Sequence, residues 1–368
     1  MIDILIAKTE DERLIYLTRN YSRQDLMTLR RIHNFFCPDC GSILYLKVGD
    51  FKIPHFAHKS HSGCNSYSEP ESSLHLQGKI LLHQFFTDRK IPVALEKYLP
   101  EIRQRADLLV DGQTAIEFQC SPISASDVLR RSAAYGGLGI KPTWIFGIKE
   151  KPIDSIQIIR LMEYQKEMLI RDGHSNHLLL LNPECRQFNY YSNLFHISGN
   201  RWIAKVIALP AEKQTFPFAS PKNLKRKDFE KVCSVFEQGK SKFIRTQMFA
   251  KNRYQNPFWL LCYELGLDMR NLPVSIGVPI FGSECIAEHA VIWQLKMNHA
   301  IRQGTSISDL ISSGRIKLNK KANDLQLEKV LKDYISFLQE IEAENTDLDK
   351  HIGILYDIYC KSVRKLRK

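Results

Sequence analysis

The stretch RQRADLLVDGQTAIEFQC, residues 103–120, has the pattern of a β-hairpin. Two runs rich in Leu, Val, Ile and Phe flank an Asp-Gly turn, which is a strong short-range hairpin signal. The first run contains Asp107 and the second contains Glu117. A carboxylate inside a short apolar strand is costly to desolvate unless a cation or a hydrogen-bond donor compensates. Two carboxylates on neighbouring strands therefore predict a site for a divalent metal ion.

The register of the hairpin decides whether the two carboxylates can meet. With a two-residue loop, Asp107 opposes Ile116, and Glu117 then projects from the other face of the sheet. A three-residue loop at 111–113, or a one-residue bulge before Glu117, places Asp107 opposite Glu117 instead. We predict one of these two arrangements. The alternative is a surface hairpin whose acids are solvated.

Composition limits the class of protein. A chain of 368 residues with 44% apolar residues has room for two or three globular domains. Its 52 Lys and Arg against 40 Asp and Glu give a formal charge of +12, which favours phosphate-bearing partners. We expect a cytoplasmic protein with no membrane span, since there is neither a leader-like N-terminus nor a long apolar run. Nine cysteines, an odd number without a signal peptide, argue against a disulfide framework.

Cysteine and histidine spacing in the first 64 residues is typical of a zinc site. A C-x2-C knuckle is followed by an H-x2-H pair and a further cysteine. Because zinc takes four tetrahedral thiolate or imidazole ligands, we assign Cys37, Cys40, His58 and Cys64, with His55 as the rival imidazole. All four positions are filled by protein, so the predicted zinc is structural. The ligating imidazole should donate its second N–H to a backbone or carboxylate acceptor.

A helix is predicted from Glu71 to about Arg89, with Ser68 as its N-cap. Glu71, His75 and Lys79 recur at i, i+4 and i+8, so they form one stripe along this helix. The stripe is either the face of an active site or a solvated row of ion pairs.

The order of elements around the hairpin is predicted as helix, strand, strand, strand, helix, strand. After the first helix comes a strand at 92–99, and the hairpin supplies the next two strands. A helix at about 125–135 and a buried strand at 142–147 complete the series. The overall expectation is a mixed α/β fold.

This αβββαβ order, with Asp on the second strand and Glu-x-Gln on the third, resembles the PD-(D/E)xK nuclease core of the restriction-endonuclease-like fold. The resemblance implies that Asp107 and Glu117 hold Mg²⁺ or Mn²⁺, with Glu71 completing the shell. Gln119, Lys79 and His75 are then expected to position water or phosphate, because metal and nearby cations stabilise the charge that develops on phosphorus.

Gln119 stands where that motif usually has lysine. A glutamine amide can orient a water or a phosphate oxygen, but it brings no positive charge. Either another cation substitutes, with Lys79 the first choice and Arg105 the second, or catalysis is impaired.

A more specific resemblance rests on five motifs. They are CPDC at 37–40, HFAH at 55–58, ESSLH at 71–75, RAD at 105–107 and IEFQCS at 116–121. Together they resemble the CoiA competence-protein family, whose members are implicated in processing or recombination of incoming single-stranded DNA during transformation.

The resemblance implies three parts: an N-terminal zinc-binding β module at 1–66, a nuclease-like core at 67–150 and a mainly helical basic region at 151–368. Single-stranded DNA and recombination or competence proteins are the expected partners. Arg105, Arg131 and Tyr135 are the residues that we expect to contact DNA.

Cations and aromatic residues alternate in the helical region, in the set Lys240, Lys242, Arg245, Lys251 and Arg253 with Phe243, Phe249, Tyr254, Phe258 and Trp259. This pattern indicates either a track for single strands or a basic helix face above a core stripe.

The function expected from the sequence is hydrolysis of DNA phosphodiesters by a metal-dependent nuclease in DNA recombination during competence. The alternative is a catalytically impaired nuclease fold that binds single-stranded DNA as a recombination mediator. The Glu-x-Gln departure favours this alternative.

Overall fold

The computed structural model describes residues 3–18, 21–50, 52–58, 71–171, 176–344 and 348–365, which form a mixed α/β fold. The strands are β1 (Asp3–Ile4), β2 (Ile6–Thr9), β3 (Leu14–Tyr16), β4 (Phe35–Phe36), β5 (Ile43–Lys47), β6 (His55–His58), β7 (Val93–Leu99), β8 (Gln104–Val110), β9 (Thr114–Gln119), β10 (Lys141–Gly147), β11 (Ser155–Arg160), β12 (Ile170–Arg171), β13 (Asn176–Asn182), β14 (Gln187–Ser198) and β15 (Arg201–Pro210). The helices are α1 (Arg23–Ile32), α2 (Ser73–Asp88), α3 (Ala125–Gly137), α4 (Glu163–Glu167), α5 (Arg226–Met248), α6 (Pro257–Glu264), α7 (Ala290–Arg302), α8 (Ile307–Ser312), α9 (Asp324–Glu344) and α10 (Leu348–Lys365).

The N-terminal strands form an antiparallel six-stranded sheet in the order β1-β6-β5-β4-β2-β3. Alternation along β5 explains its orientation, because Leu44 and Leu46 are buried while Ile43 and Tyr45 face solvent. The sheet carries the cysteine knuckle before β5 and the H-x2-H pair on β6, so the two halves of the predicted zinc site lie on neighbouring elements.

The second sheet has the order β11-β15-β14-β13-β10-β9-β8-β7, with β12 paired to β13. Strands β9, β10 and β13 run parallel and the other pairs are antiparallel. The sheet continues well beyond residue 150, as far as Pro210, and helices predominate only from Arg226 onward. The helical part of the chain thus begins later than the boundary suggested by the sequence.

The hairpin has the three-residue loop, which is one of the two arrangements that the sequence predicted. Leu108 pairs with Ile116 and Val110 with Thr114, so the loop is Asp111 to Gln113 and the register directs Asp107 toward Glu117. Asp111 and the following glycine both have left-handed backbones, with φ of 51° and 66°. The Asp-Gly dipeptide fits this loop because these residue types tolerate positive φ best.

The predicted order of helix, three strands, helix and strand is confirmed by α2, β7, β8, β9, α3 and β10. One boundary differs from the sequence prediction. The first helix starts at Ser73 with Ser72 as its N-cap, whose hydroxyl accepts from the backbone N–H of His75. Glu71 therefore precedes the helix, and the predicted cap Ser68 lies outside the described residues. At α3, Ser124 caps as expected and accepts from Asp127 N at 3.0 Å.

Helix α2 packs between the two sheets. Its buried residues Leu76 and Phe86 share one hydrophobic core with Phe56 of the first sheet and Leu108 and Phe118 of the second. The N-terminal sheet and the nuclease-like sheet are thus joined by a common core, which fixes α2 against the hairpin.

Helices α5 and α7 to α10 enclose a second core that includes Trp293, Tyr334 and Tyr359, together with residues of β14 and β15. Helix α6 packs in a smaller cluster against α7. Tyr359 on α10 ties this region to the second sheet, since its hydroxyl donates to Asn193 Oδ1 at 2.7 Å and accepts from Leu224 N at 2.9 Å. Among the described helices, none has the length and apolarity needed to cross a membrane.

Candidate functional site

The predicted stripe faces the hairpin: Glu71 lies just before α2 and is partly buried, His75 on α2 is partly buried, and Lys79 on α2 is fully buried. Glu71, His75 and Asp107 bring potential ligand atoms within 4.8 Å of one another. His75 Nε2 lies 3.3 Å from an Asp107 carboxylate oxygen, and Lys79 Nζ donates to Glu71 at 2.7 Å. The Lys79 side chain is only 1% exposed. The stripe therefore belongs to an internal polar cluster and is not a solvated row of ion pairs.

Glu96 on β7 is the fourth acid of this region, and sequence analysis missed it. Its carboxylate accepts from Lys79 Nζ at 2.5 Å and from Leu5 N at 3.0 and 3.1 Å. Glu96 interrupts an apolar strand in the same way as Asp107 does, so the argument used for the hairpin would have identified it. We call Glu71, His75, Lys79, Glu96 and Asp107 the α2 cluster.

Asp107 is held as an anion by its neighbours. Burial raises the pKa of this carboxyl, but His75 and Lys79 outweigh burial, and the backbone N–H of Phe118 donates to it at 2.8 Å, so the pKa falls well below its usual range. For His75, burial lowers the pKa, and the charges of Asp107 and Glu71 more than reverse the effect. Asp107 is thus pre-organised as an anionic ligand or acceptor.

Lys79 is held as a cation. Burial lowers its pKa, yet the negative charges of Glu71 and Glu96 reverse this and raise the pKa above its ordinary value. It therefore neutralises two carboxylates that would otherwise be buried with unbalanced charge.

Glu117 is buried beside the α2 cluster but binds groups of α3. Arg131 donates to both of its carboxylate oxygens at 2.6 Å, and the Tyr135 hydroxyl donates to one of them. Burial raises the pKa of Glu117 to about 7 against the opposing charge of Arg131, and the charge of Asp107 adds to the rise. We call Glu117, Arg131 and Tyr135 the α3 cluster. The charge of Asp107 thus acts on Glu117, but the two carboxylates bind side chains of different helices, and Glu117 is not part of the Glu71, His75 and Asp107 group.

The remaining predicted residues face other groups. The Gln119 amide donates to the backbone oxygen and the hydroxyl of Ser121, at 2.8 and 3.1 Å. Arg105 forms an ion pair with Asp39 of the cysteine knuckle. Burial lowers the pKa of Arg105 to about 10, and neighbouring Cys37 opposes the fall. Arg105 therefore joins β8 to the N-terminal module, and the roles of Arg105, Arg131 and Tyr135 in DNA binding stay predictions.

The zinc ligands predicted on the knuckle and on β6 come together. Cys37, Cys40 and His58 place ligand atoms within 4.8 Å of one another, and Cys40 Sγ lies 3.5 Å from His58 Nε2. The rival His55 has Nδ1 2.8 Å from the Ile53 carbonyl oxygen and Nε2 3.3 Å from Asp3. His58 is therefore the imidazole of the group. The predicted fourth ligand, Cys64, lies outside the described residues.

The cysteine–histidine group and the α2 cluster both have donor sets that suit metal ions. Two thiols and an imidazole are the ligand types that zinc prefers. In the α2 cluster, three carboxylates outnumber the cationic groups even when His75 is protonated. This balance favours a divalent cation, for which carboxylate oxygens are the preferred ligands.

Comparison with known proteins agrees with the geometry. Residues 71–222 match the family model described as the nuclease-like domain of competence protein CoiA, and residues 18–67 match that of its N-terminal domain. The competence protein CoiA of Bacillus subtilis (strain 168) is 27% identical over 268 residues, which cover 71% of this chain and 70% of that protein. No solved structure matches the chain. The matched domains contain the cysteine knuckle, the α2 cluster and the α3 cluster, and the chain belongs to the CoiA competence-protein family.

Proposed function

We propose that the protein is a metal-dependent nuclease that hydrolyses DNA phosphodiesters during competence. The observation that carries the proposal is the largely buried grouping of Glu71, His75 and Asp107, whose ligand atoms lie within 4.8 Å of one another and whose side chains are 11–18% exposed. Buried acids without an adequate counter-charge are costly, so their retention inside a nuclease-like domain supports a functional ion. The competence role is supported by the Bacillus subtilis relative.

Asp107 and Glu71 would hold Mg²⁺ or Mn²⁺, and Glu117 would join them. When bound, the ion would activate a water molecule and neutralise charge developing on phosphorus. Lys79 keeps the Glu71 carboxylate in place, and the Phe118 N–H does the same for Asp107. Glu117 would become available as a ligand if Arg131 exchanged it for a DNA phosphate, a group that guanidinium also binds in bidentate fashion.

His75 and Gln119 would position water or phosphate oxygens. His75 already lies within reach of the Asp107 carboxylate, and a protonated imidazole at this position would supply the positive charge that Gln119 cannot bring. The zinc module would be structural, with Cys37, Cys40, His58 and Cys64 as its ligands.

The test is cleavage of labelled single- and double-stranded DNA in the presence of Mg²⁺ or Mn²⁺. Asp107→Asn should lower the rate by about 100-fold or more, since a metal ion contributes several kcal/mol to transition-state stabilisation. Asp111→Asn is the matched control, because Asp111 is an exposed acid of the same hairpin. Glu117→Ala should abolish cutting as well. Equal rates for the wild type and Asp107→Asn would refute the proposal.

One observation favours a second candidate function. The Gln119 amide is already engaged by Ser121, and Lys79 already balances two carboxylates. A protein with these features would bind single-stranded DNA as a recombination mediator without cutting it. Calorimetry separates the two functions, because only the nuclease requires Mg²⁺ or Mn²⁺ binding that Asp107→Ala removes. Retained DNA binding without cleavage would favour the mediator.

A further inference from the structure

The end of α5 and the start of α6 lie in a stretch without acidic residues. No Asp or Glu occurs between Glu237 and Glu264, whereas five cations do: Lys240, Lys242, Arg245, Lys251 and Arg253. The stretch lies outside the residues matched by the family models, which end at 222. A segment with this charge attracts a polyanion and has no acid to repel one.

Three aromatic side chains of this stretch project into solvent. Phe249 is 86% exposed, Tyr254 is 91% exposed and Tyr263 on α6 is 86% exposed. Phe258, by contrast, is fully buried. The rings of this stretch thus divide into two groups: some form the core, and others are presented to solvent, as a binding track would require.

Hydrogen bonds between α5 and α6 hold the backbone that carries the exposed rings. Trp259 Nε1 donates to the Gln247 carbonyl oxygen at 3.0 Å, and the Asn256 amide donates to Gln247 Oε1 at 2.9 Å. Arg253 donates to the Met248 carbonyl oxygen at 3.2 Å, and its guanidinium lies 4.7 Å from the centre of the Trp259 ring. These contacts fasten the end of α5 to the start of α6, so the connection that carries Tyr254 is braced from both sides.

Cations and an exposed ring share one face of α5. Lys242, Arg245 and Phe249 follow one another at i, i+3 and i+7, which places them in one line along the helix. Lys242 and Arg245 also line a cavity of about 1000 Å³. The cavity is also lined by the cations Arg201 and Lys240 and by two acids, Glu230 and Glu237, of which Glu237 pairs with Lys240 at 3.3 Å. The cationic side chains of α5 are thus continuous with a recess of mixed charge.

We infer that this α5–α6 surface, residues 242–263, is a binding site for single-stranded DNA. Phe249 and Tyr254 stack on unpaired bases, and Lys242 and Arg245 contact phosphates. Stacking needs free base faces, which a duplex hides inside its helix, so the exposed rings select single strands. The inference deepens the proposed function, because it assumes that DNA is the substrate and names the strand type that the protein holds.

The test is binding of a fluorescent oligothymidine strand by the full-length protein, measured by anisotropy without added divalent ions. Phe249→Ala/Tyr254→Ala should weaken binding by roughly 30-fold or more, given the usual contribution of base stacking at two rings. Lys242→Gln/Arg245→Gln should reduce the log–log dependence of affinity on salt by roughly 1.4, which corresponds to two lost phosphate contacts. Leu325→Ala, a change at a side chain 76% exposed on α9, is the matched control and should leave binding unchanged.

Cross-linking locates the strand independently of affinity. A strand containing bromodeoxyuridine should cross-link to peptides from 242–263 under ultraviolet light. Unchanged affinity in Phe249→Ala/Tyr254→Ala, cross-links confined to 1–222, or no binding by the wild type would each overturn the inference.

Cleavage assays distinguish this inference from the proposed nuclease. If the wild type binds through the α5–α6 surface but cuts no DNA, the inference stands and the nuclease proposal fails. If the wild type cuts DNA and the aromatic double variant binds normally, the nuclease proposal stands and the inference fails.

Discussion

Replacing Lys79 by methionine tests the electrostatic account of the α2 cluster. Methionine keeps an unbranched side chain of similar length and removes the charge. Lys79 is 1% exposed, and its two partners Glu71 and Glu96 have side chains only 11% and 2% exposed. Solvent therefore screens the lost interaction very little, and both carboxylates would stay in the core without their cation.

The expected loss of unfolding free energy is about 3–5 kcal/mol, the usual result of removing one partner from a buried ion pair. The hydrogen bonds of Lys79 give a similar estimate of the loss in unfolding free energy. Lys79 donates one hydrogen bond to Glu71 at 2.7 Å and one to Glu96 at 2.5 Å. Hydrogen bonds to charged groups contribute about 1.5–3 kcal/mol each, so two of them account for the range.

Urea unfolding of the wild type, Lys79→Met and the double variant Lys79→Met/Glu96→Gln measures the effect. The double variant should be more stable than Lys79→Met, because it removes one of the two unpaired charges. Lys97→Met is the matched control, since Lys97 is the exposed neighbour of Glu96 on β7. A loss below about 1 kcal/mol in Lys79→Met, or no recovery in the double variant, would refute the reasoning.

The stability difference between the wild type and Lys79→Met should depend on pH in one direction. Burial already raises the pKa of Glu96 in the folded protein, and loss of Lys79 raises it further. A carboxyl whose pKa is higher in the folded than in the unfolded state destabilises the fold as pH rises above the unfolded value. The deficit of Lys79→Met relative to the wild type should therefore shrink as pH falls from neutral toward the unfolded pKa of Glu96.

Three further predictions concern packing, the α3 cluster and zinc. Gly78→Ala should lower the free energy of unfolding by about 1–3 kcal/mol, because a Cβ at Gly78 would overlap the buried phenylalanine ring on β9. Gly136→Ala should raise it by roughly 0.5 kcal/mol, because a Cβ at Gly136 would have no atom within 4 Å. Tyr135→Phe should cost about 1.5–3 kcal/mol in urea unfolding, since it removes a donor from the buried Glu117 carboxylate. Cys40→Ser should lose zinc measured by elemental analysis, whereas the wild type should contain it.

Each of these predictions has a control and a refuting result. Opposite signs for the two glycine variants are required, and equal effects would contradict the packing argument. For Tyr135→Phe, the control is Tyr263→Phe, a change at a ring that is 86% exposed. For the zinc prediction, Cys185→Ser at an exposed cysteine should retain the metal. Zinc retained at full content in Cys40→Ser would contradict the assignment.

Local patterns in the sequence were sufficient to predict the element order and the hairpin. The Asp-Gly dipeptide predicted a tight loop, and the requirement that Asp107 and Glu117 meet left a three-residue loop or a bulge before Glu117, of which the register shows the loop. Helical spacing alone places His75 and Lys79 on one face of α2, whereas Glu71 lies just before the helix. These features can be predicted from the sequence because they depend on residues that lie close together in the chain.

Contacts between segments far apart in the chain could not be predicted from such local patterns. Glu96 binds Lys79 only because β7 and α2 pack together, and Arg131 reaches Glu117 only because α3 crosses the sheet beside β9. A register argument fixes which strand positions are opposite, but it does not say which helix supplies the partner. The exposure of Phe249 likewise depends on how α5 and α6 pack together, so the residue pattern alone could not predict it.

The N-terminal module takes part in building the candidate active site. The backbone N–H of Leu5 donates to Glu96, and Arg105 beside Asp107 pairs with Asp39 of the cysteine knuckle. Loss of the knuckle would therefore weaken the support of a buried carboxylate and of the strand that carries Asp107. Because the first sheet also shares its hydrophobic core with α2, a zinc ion at the knuckle would stabilise the geometry of the α2 cluster without contacting substrate.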